Sequence, residues 1–125
     1  VSHEVAPAQP ETFVRALAEL LPTGTVQRED AAAWVAFGAA ASTRPWLADP
    51  YREALQTMRT WVEGVLADAR KAGRMRADLT PAEGARLVTA IVNGLTLDLL
   101  NAPPTESDEV IGQLRSGLGR ILRGL

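Results

Sequence analysis

Residues 69–100 read ARKAGRMRADLTPAEGARLVTAIVNGLTLDLL, and this stretch decides the fold. At its centre Thr80-Pro81-Ala82-Glu83 is a capping box with proline in the first helical position. That combination satisfies N–H groups a helix start leaves orphaned, so it predicts a helix here. The helix should run to about Asn101, where Pro103-Pro104 end it. Along it Leu87, Val88, Ile91, Val92, Leu95 and Leu99 occupy an arc of roughly 140°. The other side is mixed, with Thr89, Asn93 and Thr96 beside Ala90, Leu97 and Leu100. A helix that is apolar on both sides usually has neighbours on both sides. Upstream, Gly73 is placed to stop a preceding helix.

Working outward, the apolar spacing stays helical nearly everywhere. The helix before Gly73 is read from Asp49-Pro50, as N-cap and first residue, to about Ala72. Tyr51, Leu55, Met58, Val62, Val65 and Ala69 form its stripe, and Trp61 widens it. A short turn is expected at Pro45–Ala48. Before it an alanine-rich, slender helix spans about Gln27 to Ser42, with Trp34, Phe37, Gly38 and Ala41 on one face. The first helix runs from about Glu11 to Leu21, and Pro22 and Gly24 stop it. The last starts at Thr105 and continues to the C-terminus, with Ile111, Leu114, Leu118, Ile121, Leu122 and Leu125 as its seam. Gly112, Ser116 and Gly119 line the flank across from that seam. The expected fold is therefore all-α, a bundle of five main helices plus a short turn, in one domain over residues 1–125.

Composition narrows the function. The 125 residues carry a formal net charge of −2, and 46% are hydrophobic. There is no cysteine, which excludes disulfides, thiolate metal sites and cysteine nucleophiles. The one histidine, His3, lies near a terminus, so a histidine metal cluster or a Ser-His-Asp triad is not expected. No carboxylate pair, such as Asp49 with Glu53 or Glu63 with Asp68, has a spacing that singles out a catalytic dyad. No metal, cofactor or enzymatic activity is expected. The acidic balance argues against a dedicated nucleic-acid surface. The basic cluster Arg70, Lys71, Arg74 and Arg76 suits a helix C-terminus, where cations complement the dipole. No apolar run approaches the ~20 residues of a membrane span, and no signal peptide is visible. A cytoplasmic location is the default.

Two features allow more than one reading. Five of the six aromatics, Trp34, Phe37, Trp46, Tyr51 and Trp61, lie between residues 34 and 61. They are either ordinary core or the wall of an apolar small-molecule pocket beside a slender helix, with Met58 as an adaptable surface. Asn93 sits mid-helix among leucines, and burying its amide unpaired would cost on the order of 1–3 kcal/mol. Its partner is another helix, the same residue across a two-fold axis, or a ligand. The helix at 81–101 offers more apolar surface than one neighbour can cover, and the last helix is terminal with a coiled-coil-like seam, which together favour dimerisation.

The chain resembles the C-terminal domain of TetR-family transcriptional regulators, most nearly the BetI-like type. The resemblance rests on Trp34, Phe37, Ala41, Pro45, Leu47 and Tyr51. It continues through Ala69, Gly73, Met75, Arg76, Asp78, Leu79 and Pro81, and closes with Ala85, Leu87, Ala90, Ile91, Asn93, Gly94, Leu95, Leu97, Leu99 and Leu100. It covers roughly residues 28–125. Asn93 stands where many relatives have Asp, and Gly38 where an aromatic is frequent.

The resemblance implies a homodimer built on the last two helices and a small-molecule effector held among the earlier ones. It implies that operator DNA is bound only through an N-terminal helix-turn-helix absent from this sequence, with residues 1–10 as the tail of a linking helix. Such proteins are bacterial repressors that respond to ligand by shifting a conformational equilibrium. The expected effector wall is Phe37, Ala41, Trp46, Met58, Trp61 and Val62, with Asn93 and Leu97 on the far wall or at the dimer seam. The expected interface is Val92, Leu99, Leu100, Ile111, Leu114, Leu118, Ile121 and Leu122. Which face of the helix at 81–101 is pocket and which is seam stays open. The alternative is a helical dimerisation or adapter module with no ligand.

Overall fold

The capping box at Thr80 forms in full. The Glu83 N–H donates to Thr80 Oγ1 at 3.1 Å, and the Thr80 N–H donates to Glu83 Oε1 at 2.9 Å. These bonds start helix α4, Pro81–Leu100. The backbone hydrogen bond from Thr80 also holds the Glu83 carboxyl below its ordinary pKa. The computed structural model describes residues 9–103 and 107–125. Before α4 come α1 (Pro10–Ala18), α2 (Thr25–Ala41) and α3 (Pro45–Lys71), and after it α5 (Ser107–Leu118). Of the expected linking tail at residues 1–10, residues 1–8, with His3, lie outside the described residues, as do Pro104, Thr105 and Glu106, whereas Gln9 and Pro10 are the cap and first residue of α1.

Helix α3 departs from expectation at its start. The separate turn at Pro45–Ala48 does not form. Pro45 takes the first helical position instead, and the helix runs on through Pro50 for 27 residues. Arg44 precedes Pro45 in an extended conformation without a side-chain cap bond, although Asp49 before Pro50 is the better capping residue type. Pro50 comes early enough to remove a single bond, the one its N–H would give to the Trp46 carbonyl. At the far end Gly73 adopts a φ of +73°. The Arg74 N–H then reaches back to the Ala69 carbonyl at 2.8 Å, the closing bond of a Schellman-type stop.

Helix α5 also departs from expectation. It ends at Leu118 instead of continuing to the C-terminus. Gly117 and Gly119 weaken the helix there. The chain turns and pairs with the loop after α3. The Arg76 N–H donates to the Ile121 carbonyl at 3.0 Å, and the Arg123 N–H to the Arg74 carbonyl at 2.8 Å. Met75 and Leu122 face each other in an antiparallel bridge, and no longer strand occurs among the described residues. This clasp buries Met75, Ile121 and Leu122.

The core is one cluster. Phe13, Leu17, Val62, Leu66, Val88, Leu114 and Leu118 are fully buried in it. Helices α3 and α4 pack most extensively on each other. α5 packs on α1 and α4, while α2 lies against α3 and α4. Gly84 sets how closely α4 approaches: a Cβ there would lie 2.7 Å from Leu66 Cδ1 and 3.0 Å from Met75 Cε. Arg115 of α5 pairs with Glu11 of α1 at 2.5 Å. Among the described residues no helix is long and apolar enough to cross a membrane.

Candidate ligand-binding site

Helix α2 meets α3 and α4 along an aromatic seam. The Trp34 and Tyr51 rings stack at 4.9 Å, and Phe37 stands edge-on to both, at 6.0 and 5.3 Å. Gly38 makes room for this cluster, since a Cβ would sit 3.1 Å from the Tyr51 ring. The Trp34 indole Nε1–H donates to Asn93 Oδ1 at 3.1 Å, tying α2 to α4. Arg28 makes a second tie between the same helices, donating to the Leu100 carbonyl at 3.2 Å.

Beside Trp34 lies a cleft of about 290 Å³. The residue after α1 and its neighbour, Glu19 and Leu20, form one rim. Gln27, Asp30, Ala31 and Trp34 of α2 form a wall, and Ala54 and Met58 of α3 another. Val92, Asn93 and Thr96 of α4 make the floor. The volume is near the lower end of small-molecule sites. Short side chains at Ala31 and Ala54 leave the space.

The floor presents one free donor. An indole N–H can only donate, so the oxygen of Asn93 faces it and the amide NH₂ turns elsewhere. That NH₂ has no partner among the described residues. Thr96 offers none, because its hydroxyl donates to the Val92 carbonyl of its own helix at 2.7 Å. Among the described residues no group of His, Cys, Asp or Glu could hold a metal.

Of the eight residues expected at the effector site, the cleft brings together Met58 and Asn93. Phe37 stands in the aromatic seam, against Trp34 and Tyr51. Ala41 is half-buried at the end of α2, and Trp46 is 72% exposed at the start of α3. Trp61 is 44% exposed, its ring 5.7 Å from that of Phe13. Val62 is buried in the core, and Leu97 is 50% exposed on the outside of α4. Sequence reasoning passed over Gln27, Asp30 and Ala31. They share a face with Trp34 at i, i+3, i+4 and i+7, but a face carrying Gln and Asp reads as solvated.

The residues expected at the dimer seam divide likewise. Val92, Leu99, Leu114, Leu118, Ile121 and Leu122 are buried within this chain. Leu100 and Ile111 are half-buried. The apolar surface left open on α4 is Leu87, 45% exposed, with Ala90, Gly94 and Leu97. A Cβ at Gly94 or at Gly112 of α5 would meet nothing within 4 Å.

A transcriptional regulator from Rhodococcus sp. Rha1 shares this fold, with a TM-score of 0.77 and 27% identity. The match covers 94% of this chain and 62% of the regulator, so the chain spans less than two thirds of that protein. Among curated proteins none matches. The family of BetI-type transcriptional repressors, in its C-terminal domain, matches residues 10–123. These are regulators and not enzymes. The chain belongs to the BetI-type repressor family, as a C-terminal domain of that kind.

Proposed function

We propose that this domain senses a small, partly apolar effector in the cleft and dimerises through the outer face of α4. In this reading it controls operator binding by a DNA-binding domain that lies outside this sequence, in the cytoplasm of a bacterium. One observation carries the proposal: α4 bears both surfaces. Val92, Asn93 and Thr96 floor the cleft. Leu87, Ala90, Gly94 and Leu97 form the open apolar stripe, centred about 130° around the helix from the floor at 100° per residue. Asn93 stands at the border between them. A ligand that displaces α4 by one contact therefore reaches a subunit interface on the same rigid element, given different affinity for two states.

The alternative, an adapter module with no ligand, is disfavoured by the unfilled space between α2, α3 and α4. Native mass spectrometry at micromolar concentration tests the reading. Two 13.4 kDa chains together are expected, with a small adduct when the cleft retains its ligand. A chain that stays monomeric at every concentration removes the dimer. Failure to bind any small molecule removes the sensor.

A further inference from the structure

Two basic segments meet at one end of the bundle. Residues 70–76 hold Arg70, Lys71, Arg74 and Arg76, and no acidic residue. Residues 115–123 hold Arg115, Arg120 and Arg123, and again no acidic residue. The rest of the chain carries six basic residues against fifteen acidic ones, so a net charge of −2 hides a polar distribution. The clasp joins the two segments. Met75 and Leu122 pair and are buried, so their neighbours Arg74, Arg76 and Arg123 alternate to the outer face. Arg74 and Arg123 stand directly opposite each other there, since the Arg123 N–H donates to the Arg74 carbonyl. Like charges so placed repel, and an anion lying over them relieves the repulsion. Open hollows flank the clasp, one lined by Arg76 and Arg123 and the other by Arg115 and Arg120, with Gly119 and Leu125 common to both. Two carboxylates answer this charge. Glu11 takes Arg115, and Asp78 takes Arg76 at 3.1 and 3.2 Å and also feels Arg123. Arg70 and Arg74 donate only to neutral oxygens, those of Leu79, Ala77 and Gln9. Five of the seven cations therefore have no carboxylate within ion-pair distance among the described residues.

We infer that this basic end is a nucleic-acid contact in its own right, with Arg74, Arg120 and Arg123 placed on backbone phosphates of a DNA duplex. The inference rests on the reading of the chain as the C-terminal part of a DNA-binding regulator, and it is independent of the effector cleft. Position selects the occupant. Gln9, the N-cap of α1, is held by Arg74 at 2.5 Å, so the chain enters the fold at the basic end. A DNA-binding domain on the N-terminal side then brings its duplex towards this end, and the acidic remainder of the domain turns away from it. An acidic protein would meet the same charge but has no such placement. The contact carries no sequence information. Neither basic segment contains an aromatic residue on which a base could stack, and arginines on phosphates position a protein without reading bases.

The test measures fluorescence anisotropy of a labelled random-sequence duplex of about 20 base pairs as the 125-residue chain is added at about 20 mM salt. A Kd of about 10–100 µM is expected, and log K should fall with log salt at a slope of roughly −2.7, the value for three phosphates. Arg120→Gln/Arg123→Gln should weaken binding at least tenfold and reduce the slope by about two units. Both side chains are exposed and tie no elements together, so the variant should fold as the parent does, and circular dichroism checks this. The control is Arg44→Gln/Arg52→Gln, which removes the same charge at the far end of α3, a helix about 40 Å long. It should leave affinity within twofold. No binding up to millimolar chain overturns the inference, as does an equal loss in the control or none in the clasp variant. Equally tight capture of poly-glutamate, read by competition with the duplex, overturns it too and makes the basic end a dock for acidic protein. Each of these failures leaves the sensor and dimer reading standing, because neither the cleft nor the outer face of α4 takes part.

Discussion

Trp34 and Asn93 are joined by a hydrogen bond of 3.1 Å between residues 59 apart in the chain, and this bond closes one end of the cleft. Its geometry assigns the Asn93 amide, because the indole can only donate. Asn93→Ala leaves the half-buried indole N–H without its acceptor. Such a loss costs about 1–3 kcal/mol. Urea unfolding should show the midpoint falling with the slope unchanged, since the fold and the area exposed on unfolding are the same. Asn93→Asp keeps the acceptor and should retain most of the stability.

Two helical glycines should respond in opposite directions to alanine. Gly64 lies on the exposed side of α3, and a Cβ there meets nothing within 4 Å. Gly64→Ala should stabilise the domain by roughly 0.5–1 kcal/mol through helix propensity alone. At Gly38 the new Cβ would press on the Tyr51 ring at 3.1–3.2 Å, a ring already stacked on Trp34. Gly38→Ala should forfeit that gain and destabilise by about 1 kcal/mol or more as the seam is overpacked. Thermal unfolding of the two variants side by side checks the sign of each.

What was legible in the sequence was local. The start of α4 could be read because Thr80, Pro81 and Glu83 satisfy one another within a single turn. Gly73 could be read for the same reason, as a residue suited to positive φ. The start of α3 could not, since Pro45 and Pro50 both suit the first helical position and the better capping residue, Asp49, stands before the second, whereas the helix begins at Pro45. The clasp of Ile121 and Leu122 against Met75 pairs segments some 46 residues apart, as Arg76 N–H to Ile121 O and the Met75–Leu122 bridge record. No periodicity announces it. The seam of α5 was visible as apolar spacing, but spacing does not say what covers it. The cleft was the least legible part. It forms from Ala54 and Met58 of α3, Asn93 of α4 and a polar face of α2, brought together by the fold alone.

Acid should weaken the domain through exposed carboxylates that are hydrogen-bonded in the fold. The hydrogen bond from Arg115 holds the Glu11 carboxyl below its ordinary pKa, and that from Arg76 does the same for Asp78. Glu83 is lowered by its bond from the Thr80 backbone. In each case the unfolded chain takes up protons more readily than the folded one. The stabilisation is therefore present in full above the ordinary carboxylate range, near pH 4, and is lost as pH falls through the lower folded-state values. The urea midpoint should be steady from pH 7 to about 5 as far as these groups are concerned, then decline. Glu11→Gln removes one titrating carboxylate and should flatten that decline, and added salt should do so too.

The outer face of α4 should decide assembly and leave the fold of the single chain untouched. Leu87 and Leu97 are 45% and 50% exposed, and Gly94 between them has open space where a side chain would be. Within one chain a charge placed there disturbs nothing. In the proposed dimer it would be trapped against a second copy's apolar stripe, and burial of an unpaired charge is costly. Leu97→Glu and Gly94→Arg should therefore leave the unfolding midpoint of the isolated chain within about 0.5 kcal/mol of the parent. The same substitutions should shift sedimentation at micromolar concentration from dimer to monomer. Leu114→Ala makes the contrast. That side chain is fully buried within the chain, so its truncation should cost about 2–5 kcal/mol of stability. A dimer that survives both α4 substitutions would move the interface to another face.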